Sequence, residues 1–289
     1  MAGVIFWGAE RAMSKNKDQH YVSAFYLYNF TNEDQKKKSG WKTRKTSIWH
    51  FDKNKGVVKE RSIHRLATES YLFSYQKDDG TYDHSLDEEL GRVESLAANA
   101  FRELSEIITS FRKKSTRAVN VSDDILARII EFMVWQVRRH PSLMDEVHEK
   151  CKRMSEGNDW EMTSKQMALD VISGYGRDGY SDFTEILANK NKTIIFTTND
   201  RTGFIATDEP FVRFNKVAPD GIGHDSTEIY FPLASNMLLY LKGAGNKREF
   251  RLENNREFLR SFNMYMAKSS KNYIFGNTKE HVESIVKRM

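Results

Sequence analysis

Cysteine is nearly missing from this chain: of 289 residues, Cys151 alone carries a thiol. An internal disulfide is therefore excluded, and a reducing compartment is expected. Long apolar runs are missing too. No stretch approaches the ~20 residues that a membrane-spanning helix needs. The opening MAGVIFWGAERAM has an apolar run of about five residues, against roughly 7–15 in a secretory signal, which also carries basic residues ahead of it. The expectation is a soluble, cytoplasmic protein with no membrane partner. The sequence also lacks a phosphate-binding glycine loop, a Rossmann fingerprint, HExxH, paired Cys/His zinc spacing and G-x-S-x-G. None of the chemistries those motifs mark is indicated.

What is present is a globular composition: 39% hydrophobic, 29% charged and 12% aromatic. The length suits one large domain or two small ones and buries a core without staples. Net charge is +5 and the pI about 9.0, compatible with a nucleic-acid partner, RNA or DNA. Positive charge gathers at KKKSGWKTRK (36–45), RKKSTR (112–117) and RRH (138–140). The first run carries Trp41. It reads either as a solvated loop or as a surface that meets phosphates and stacks a base.

Along the chain the hydrophobic period changes twice. QHYVSAFYLYNF (19–30) has aromatics at both helical and strand spacing, which leaves its period open. KTSIWHFDKNKGVV predicts a β-hairpin around the turn DKNKG. From 85 to 111, Leu86, Leu90, Val93, Ala97, Phe101, Leu104, Ile108 and Phe111 recur at gaps of three or four, a long amphipathic helix. A second helix opens with Ser122 as N-cap and runs to Pro141, which ends or redirects it. More helix follows in MDEVHEKCKRM, WEMTSKQMALDVI and FTEILANK, with a glycine-rich loop at 173–182. KTIIFTT, NDRTG and FIAT predict a second hairpin, and EIYFPL and MLLYLK two more strands. A helix, the short strand NYIFG and a C-terminal helix close the chain. The order gives an α+β fold, a mainly antiparallel sheet packed against a central group of long helices. One domain over 1–289 is expected, with a β-rich part (19–80), a helical part (84–190) and a β/α part (192–289).

Six polar residues stand out. His20 precedes five aromatics and reads as a packed residue or an acid–base group. On the first long helix, at about 100° per residue, Asp87 and Glu94 fall about 80° and about 60° from the centre of the apolar stripe. Both flank the buried seam, where carboxylates take a cation, a metal or backbone donors as partners. On the second helix Gln136 and Arg139 lie at the seam margin. Arg139 can pair with Glu94 or Asp87, or hold a phosphate. Asp208, in FIATDEPF, ends a predicted strand ahead of Pro210. It reads as a ligand or base, or as an Asx-type turn. His148 and Cys151 share a helix face and could form a catalytic dyad, but no third group to orient it is identifiable.

Taken in order, these pieces resemble the DUF4238 family, bacterial proteins described as being of unknown function, over roughly residues 18–277. HYVSAFYLYNF stands where the family reads His-Tyr-Val-Pro, then Phe-x-Leu and a later Phe. LDEELGRVE carries acids at the positions of Asp87 and Glu94. WQVRRHP matches Gln-x-x-Arg-x-Pro through Gln136, Arg139 and Pro141. FIATDEPF matches Phe-Ile-Thr-Ser-Asp-x-Pro through Asp208 and Pro210. IYFPLAS supplies Pro232-Leu233, and NNREFLRSFNMYMAKSSKNYIFG the closing Asn-then-helix segment. Ser23 replaces the family's usual proline, and Ala206-Thr207 replaces Thr-Ser.

The resemblance implies an association with bacterial defence against phage and a site drawn from the motif residues. The resulting expectation is a nuclease-like phosphodiester hydrolase. Asp87, Glu94 and Asp208 would hold Mg²⁺ or Mn²⁺, His20 would act as general base or acid, Arg139 would neutralise phosphate, and Gln136 would orient water or substrate. A metal-free variant uses His20 with a carboxylate. Two alternatives stand beside it. One is a non-catalytic module sensing nucleic acid or a phage component, with the same groups forming a buried network. The other is an enzyme acting on a small nucleotide or other metabolite.

Overall fold

The computed structural model describes residues 17–114, 121–154, 160–173, 179–199, 202–215 and 221–289. MAGVIFWGAERAM, the end of RKKSTR, residues 174–178 of the glycine-rich loop and part of NDRTG lie outside the described residues, as does the Cys151 side chain.

In chain order the first elements are β1 (Asp18–His20), α1 (Ala24–Tyr28), α2 (Glu33–Lys38), β2 (Ser47–Asp52), β3 (Val57–Ser62), β4 (Thr68–Ser70), β5 (Tyr75–Gln76) and β6 (Tyr82–Asp83). The helical part holds α3 (Ser85–Lys114), α4 (Asp123–Arg138), α5 (Pro141–Met154), α6 (Trp160–Ser173) and α7 (Gly179–Ala188). Then come β7 (Lys190–Phe196), β8 (Ala206–Thr207), β9 (Val212–Phe214), β10 (Glu228–Ala234), β11 (Met237–Ala244), β12 (Arg248–Leu252), α8 (Arg256–Ser269), β13 (Tyr273–Gly276) and α9 (Lys279–Val286). A five-stranded sheet runs β12-β7-β11-β10-β9, and a four-stranded sheet runs β3-β2-β13-β8. All described pairings are antiparallel except β12 with β7. The α+β expectation holds. No helix among the described residues is long and apolar enough to cross a membrane.

Local chemistry accounts for the main boundaries. Ser122 caps α4 by accepting the Ile125 N–H, as its position before two aspartates predicts. Pro141 opens α5 rather than merely closing α4, because a proline at the first helical position gives up only an N–H the helix does not use. Asn255 caps α8 through the Glu257 and Phe258 N–H groups.

Two sequence expectations change. The open period of 19–30 belongs to two elements, not one: β1 ends at His20, and α1 begins after Ser23. The second predicted hairpin does not form. β7 and β8 belong to different sheets, because the chain between them runs against the end of β10. There the Phe204 N–H donates to Ser235 O at 2.7 Å. Gly203 permits this approach, since a Cβ there would sit 2.0 Å from that oxygen.

Alternation along β7 places the two cores. Ile194 and Phe196 face one cluster, with Tyr26, Phe30, Leu90, Ala97, Phe132 and Leu239. Ile195 faces a second, beneath α8, with Phe204, Leu238, Phe262, Met266 and Ile274. The five-stranded sheet is thus packed on both faces, and the turn between β1 and α1 is pinned against α3 and α4.

Candidate functional site

That turn, Tyr21 to Ser23, is the centre of the polar network. Gln136 and Arg139 stand three apart on α4 and so share one face. The Gln136 amide donates to Tyr21 O at 2.8 Å, and Arg139 Nε donates to the same oxygen at 3.1 Å. The Ser23 N–H donates back to Gln136 Oε1 at 3.4 Å. Arg139 is 1% exposed. Its Nη1 and Nη2 both donate to Glu94 Oε1, at 2.6 and 2.7 Å. Burial pushes the Glu94 carboxyl above the usual carboxylate range, against the pull of Arg139. The same burial lowers the guanidinium. The Ser23 hydroxyl sits by this carboxyl but has no partner at hydrogen-bond geometry.

Asp87 adjoins the pair and raises Glu94 further. Its own carboxyl is raised by burial, offset by His84, Arg139 and Gln19. Gln19, on β1, donates to Ser74 Oγ at 2.7 Å and accepts the Phe73 N–H at 2.6 Å. His84 Nδ1 lies 2.8 Å from Ser74 Oγ.

His20 is half-buried at the end of β1. Its Nε2–H donates to Ile63 O at 3.4 Å. The ring lies 5.9 Å from that of His64. Burial lowers its pKa to about 4, with Arg139, His64 and Arg44 adding to the effect against the Ile63 bond. At neutral pH this imidazole is uncharged.

Asp208 is elsewhere. It is 0% exposed, and it accepts the main-chain N–H of Lys271 at 3.1 Å and of Asn272 at 2.6 Å. It therefore anchors the turn from α8 into β13, which Lys53 also holds by bonding Ser270 O. His140 Nε2 faces its Oδ2 at 3.8 Å. Tyr21 joins the two halves. Its carbonyl takes the α4 clamp, its ring meets His140 edge-on at 5.5 Å, and its hydroxyl is held protonated by burial, with Asp208 adding to the effect.

Of the six predicted residues, His20, Asp87, Glu94, Gln136 and Arg139 gather around the β1–α1 turn, and Asp208 stands with His140 beyond Tyr21. Among the described residues no three His, Cys, Asp or Glu side chains form a group suited to a metal ion. Glu94 is engaged by Arg139, and Asp208 by main-chain donors. The acids named for Mg²⁺ or Mn²⁺ thus do not fit such an ion as they are arranged. Tyr21 and His140 were not singled out from the sequence, although both lie inside motifs that were, HYVSAFYLYNF and WQVRRHP.

A basic face borders His20. Helix α2 ends in a Schellman turn: the Trp41 N–H donates to Lys36 O at 2.8 Å and the Gly40 N–H to Lys37 O at 2.9 Å. Gly40 and Trp41 both take positive φ, 61° and 63°. This holds Trp41 out at 55% exposure. Lys37, Lys38, Lys42, Arg44 and Lys45, all within four residues of it in the sequence, are exposed.

No curated protein and no solved structure matches the chain significantly. A family match does, over residues 18–280, to the family described as Protein of unknown function (DUF4238). It takes in nearly all of the polar network and the basic face, and on it the chain belongs to the DUF4238 family.

Proposed function

We propose that this protein binds nucleic acid through the basic face around Trp41. The observation that carries the reading is the presentation of that indole. A tryptophan that is 55% exposed, held in a turn of two left-handed residues and flanked in the sequence by exposed Lys and Arg, offers a flat stacking surface beside phosphate-binding charge. The buried polar residues then serve this face by fixing the β1–α1 turn, since α1 packs against residues 43–45, which carry Arg44. The setting implied by the family resemblance, defence against phage, is part of the same proposal.

The test is fluorescence anisotropy with labelled single-stranded RNA and DNA. Trp41→Ala should weaken binding by about 1–3 kcal/mol at unchanged stability. Lys42→Ala with Arg44→Ala should flatten the dependence of log Kd on log salt by roughly 0.7 for each phosphate that is no longer neutralised. Binding that is insensitive to both variants sinks the reading.

A second reading, phosphodiester cleavage, rests on the His20–His64 pair beside Arg44. Two imidazoles near a cation can supply base and acid without a metal. Labelled RNA and DNA incubated with Mg²⁺, Mn²⁺ or EDTA would decide it. Cutting that survives EDTA but is lost in His20→Ala and in His64→Ala supports the pair.

A further inference from the structure

A different constellation lies at the start of α5. The Ser142 N–H donates to His140 Nδ1 at 3.2 Å, which makes Nδ1 the acceptor and puts the proton on Nε2. Ser142 Oγ is 2.8 Å from the same Nδ1, so its hydroxyl donates there too. Behind the ring, Nε2 is buried without a hydrogen-bond partner and faces Asp208 Oδ2 at 3.8 Å. Asp208 is itself fixed by two main-chain donors. A hydroxyl on one imidazole nitrogen and a held carboxylate behind the other is the arrangement that activates a serine. Such contacts are often long before substrate binds.

The chain contains an internal comparison. His224 and Ser226 make the same local turn, with 2.7 Å from Oγ to Nδ1 and 3.2 Å from the N–H. The His-x-Ser turn alone is therefore ordinary local geometry. His224 is exposed, whereas His140 is 6% exposed and backed by Asp208.

The surrounding charge selects the substrate class. Glu209 lies 3.9 Å from His140 Nδ1 and pairs with Lys271 at 3.1 Å. Glu69 lies near Asp145 and His140, and Glu146 pairs with Lys150 at 2.8 Å, with Lys271 adding a smaller pull. The carboxylates Glu69, Asp145, Glu146, Asp208 and Glu209 outnumber the cations Lys53, Lys150 and Lys271, a field that repels a polyanion.

We propose that Ser142, His140 and Asp208 form a serine-nucleophile site that hydrolyses carboxylic esters of uncharged or cationic substrates. Ser142 Oγ bonds to the carbonyl carbon while its proton passes to His140 Nδ1. The bond from that carbon to the leaving oxygen breaks, and the alcohol departs with the proton. Water then attacks the acyl-serine and gives a proton to Nδ1. The acyl–serine bond breaks, a carboxylic acid is released, and the proton returns to Ser142. Asp208 steadies the imidazolium.

The test uses the full chain, a fluorophosphonate probe and p-nitrophenyl acetate, with the labelled peptide identified by mass. The expected result is labelling at Ser142, abolished in Ser142→Ala and slowed on the order of 100-fold in His140→Asn. Asparagine keeps an N-cap acceptor for α5, so circular dichroism should show both variants folded. Ser226→Ala should label like the wild type. A folded wild type with no label at Ser142, or a His140→Asn variant labelled at the wild-type rate, overturns the proposal.

Discussion

Arg139 places two nitrogens on a single oxygen of Glu94, at 2.6 and 2.7 Å, while its third reaches Tyr21 O at 3.1 Å. One guanidinium thereby ties α3, α4 and the β1–α1 turn together. Removing Glu94 leaves the buried Arg139 charge without compensation, whereas removing Arg139 leaves a carboxylate whose side chain is 28% exposed. Glu94→Ala should cost ~3–5 kcal/mol and Arg139→Ala about 1.5–3 kcal/mol for the lost charged hydrogen bonds, read from urea unfolding. Arg139→Lys should not rescue, because an ammonium lacks the planar fork that spans both acceptors. Wild-type urea midpoints in these variants would show that the clamp does not stabilise the fold.

His281 makes the fold sensitive to acid. In its neutral form Nδ1–H donates to Asn277 Oδ1 at 3.1 Å, and Nε2 accepts from the Asn263 amide at 3.4 Å. A second proton would set N–H against N–H. Burial lowers its pKa from 6.5 to about 4. The unfolded chain therefore binds more protons between those values, and stability rises with pH across that window. It is fully present above pH 6.5 and is lost as pH falls towards 4. A shift of this size is on the order of 3 kcal/mol, and His20 shifts in the same sense. Urea midpoints at pH 4.5 and 7.5 should differ in the wild type and differ less in His281→Gln. An unchanged difference would remove His281 from the account.

Gly203 is required by close approach rather than by its dihedral angles. A Cβ would meet Ser235 O at 2.0 Å, and every atom in its way is backbone. Gly203→Ala should cost ~3 kcal/mol or more by forcing the crossing to β8 apart. Thermal unfolding measures it, and a loss under about 1 kcal/mol would mean that the crossing is adaptable.

The helices were legible because their signal is local. The three-and-four spacing on α3 and the Ser122 cap on α4 need no knowledge of the rest of the chain. The crossing between β7 and β8 was not legible. FIAT follows a turn signal after KTIIFTT, but contacts far away in sequence, with Ser235, Asn263 and β13, send it to another sheet. In the site, the seam geometry of Glu94 and Arg139 was readable from helical angles, and so was their pairing as one of two options. That Gln136 would grip a backbone carbonyl was not, since side-chain amides carry no sign of their partner. Tyr21 escaped notice because one residue serves the network through its carbonyl, its ring and its hydroxyl, and a sequence shows only the last two.

Asp208 offers a test that separates a local role from a global one. Its carboxylate accepts two successive main-chain N–H groups, at Lys271 and Asn272, where the chain leaves α8 to form β13. That strand lies between β2 and β8 in the four-stranded sheet. Asp208→Asn keeps one acceptor but turns an amide NH₂ towards a main-chain N–H. A hydrogen bond to a charged group contributes ~1.5–3 kcal/mol, so the substitution should cost about 2 kcal/mol. Asp208→Ala should cost more, because both donors lose their partner. Hydrogen exchange resolves where the loss falls. Amides of 271–276 should lose protection first, with the α3 and α4 amides retaining theirs until the whole chain unfolds. Uniform loss across α3, α4 and β13 would instead make the Asp208 turn part of the global cooperative unit.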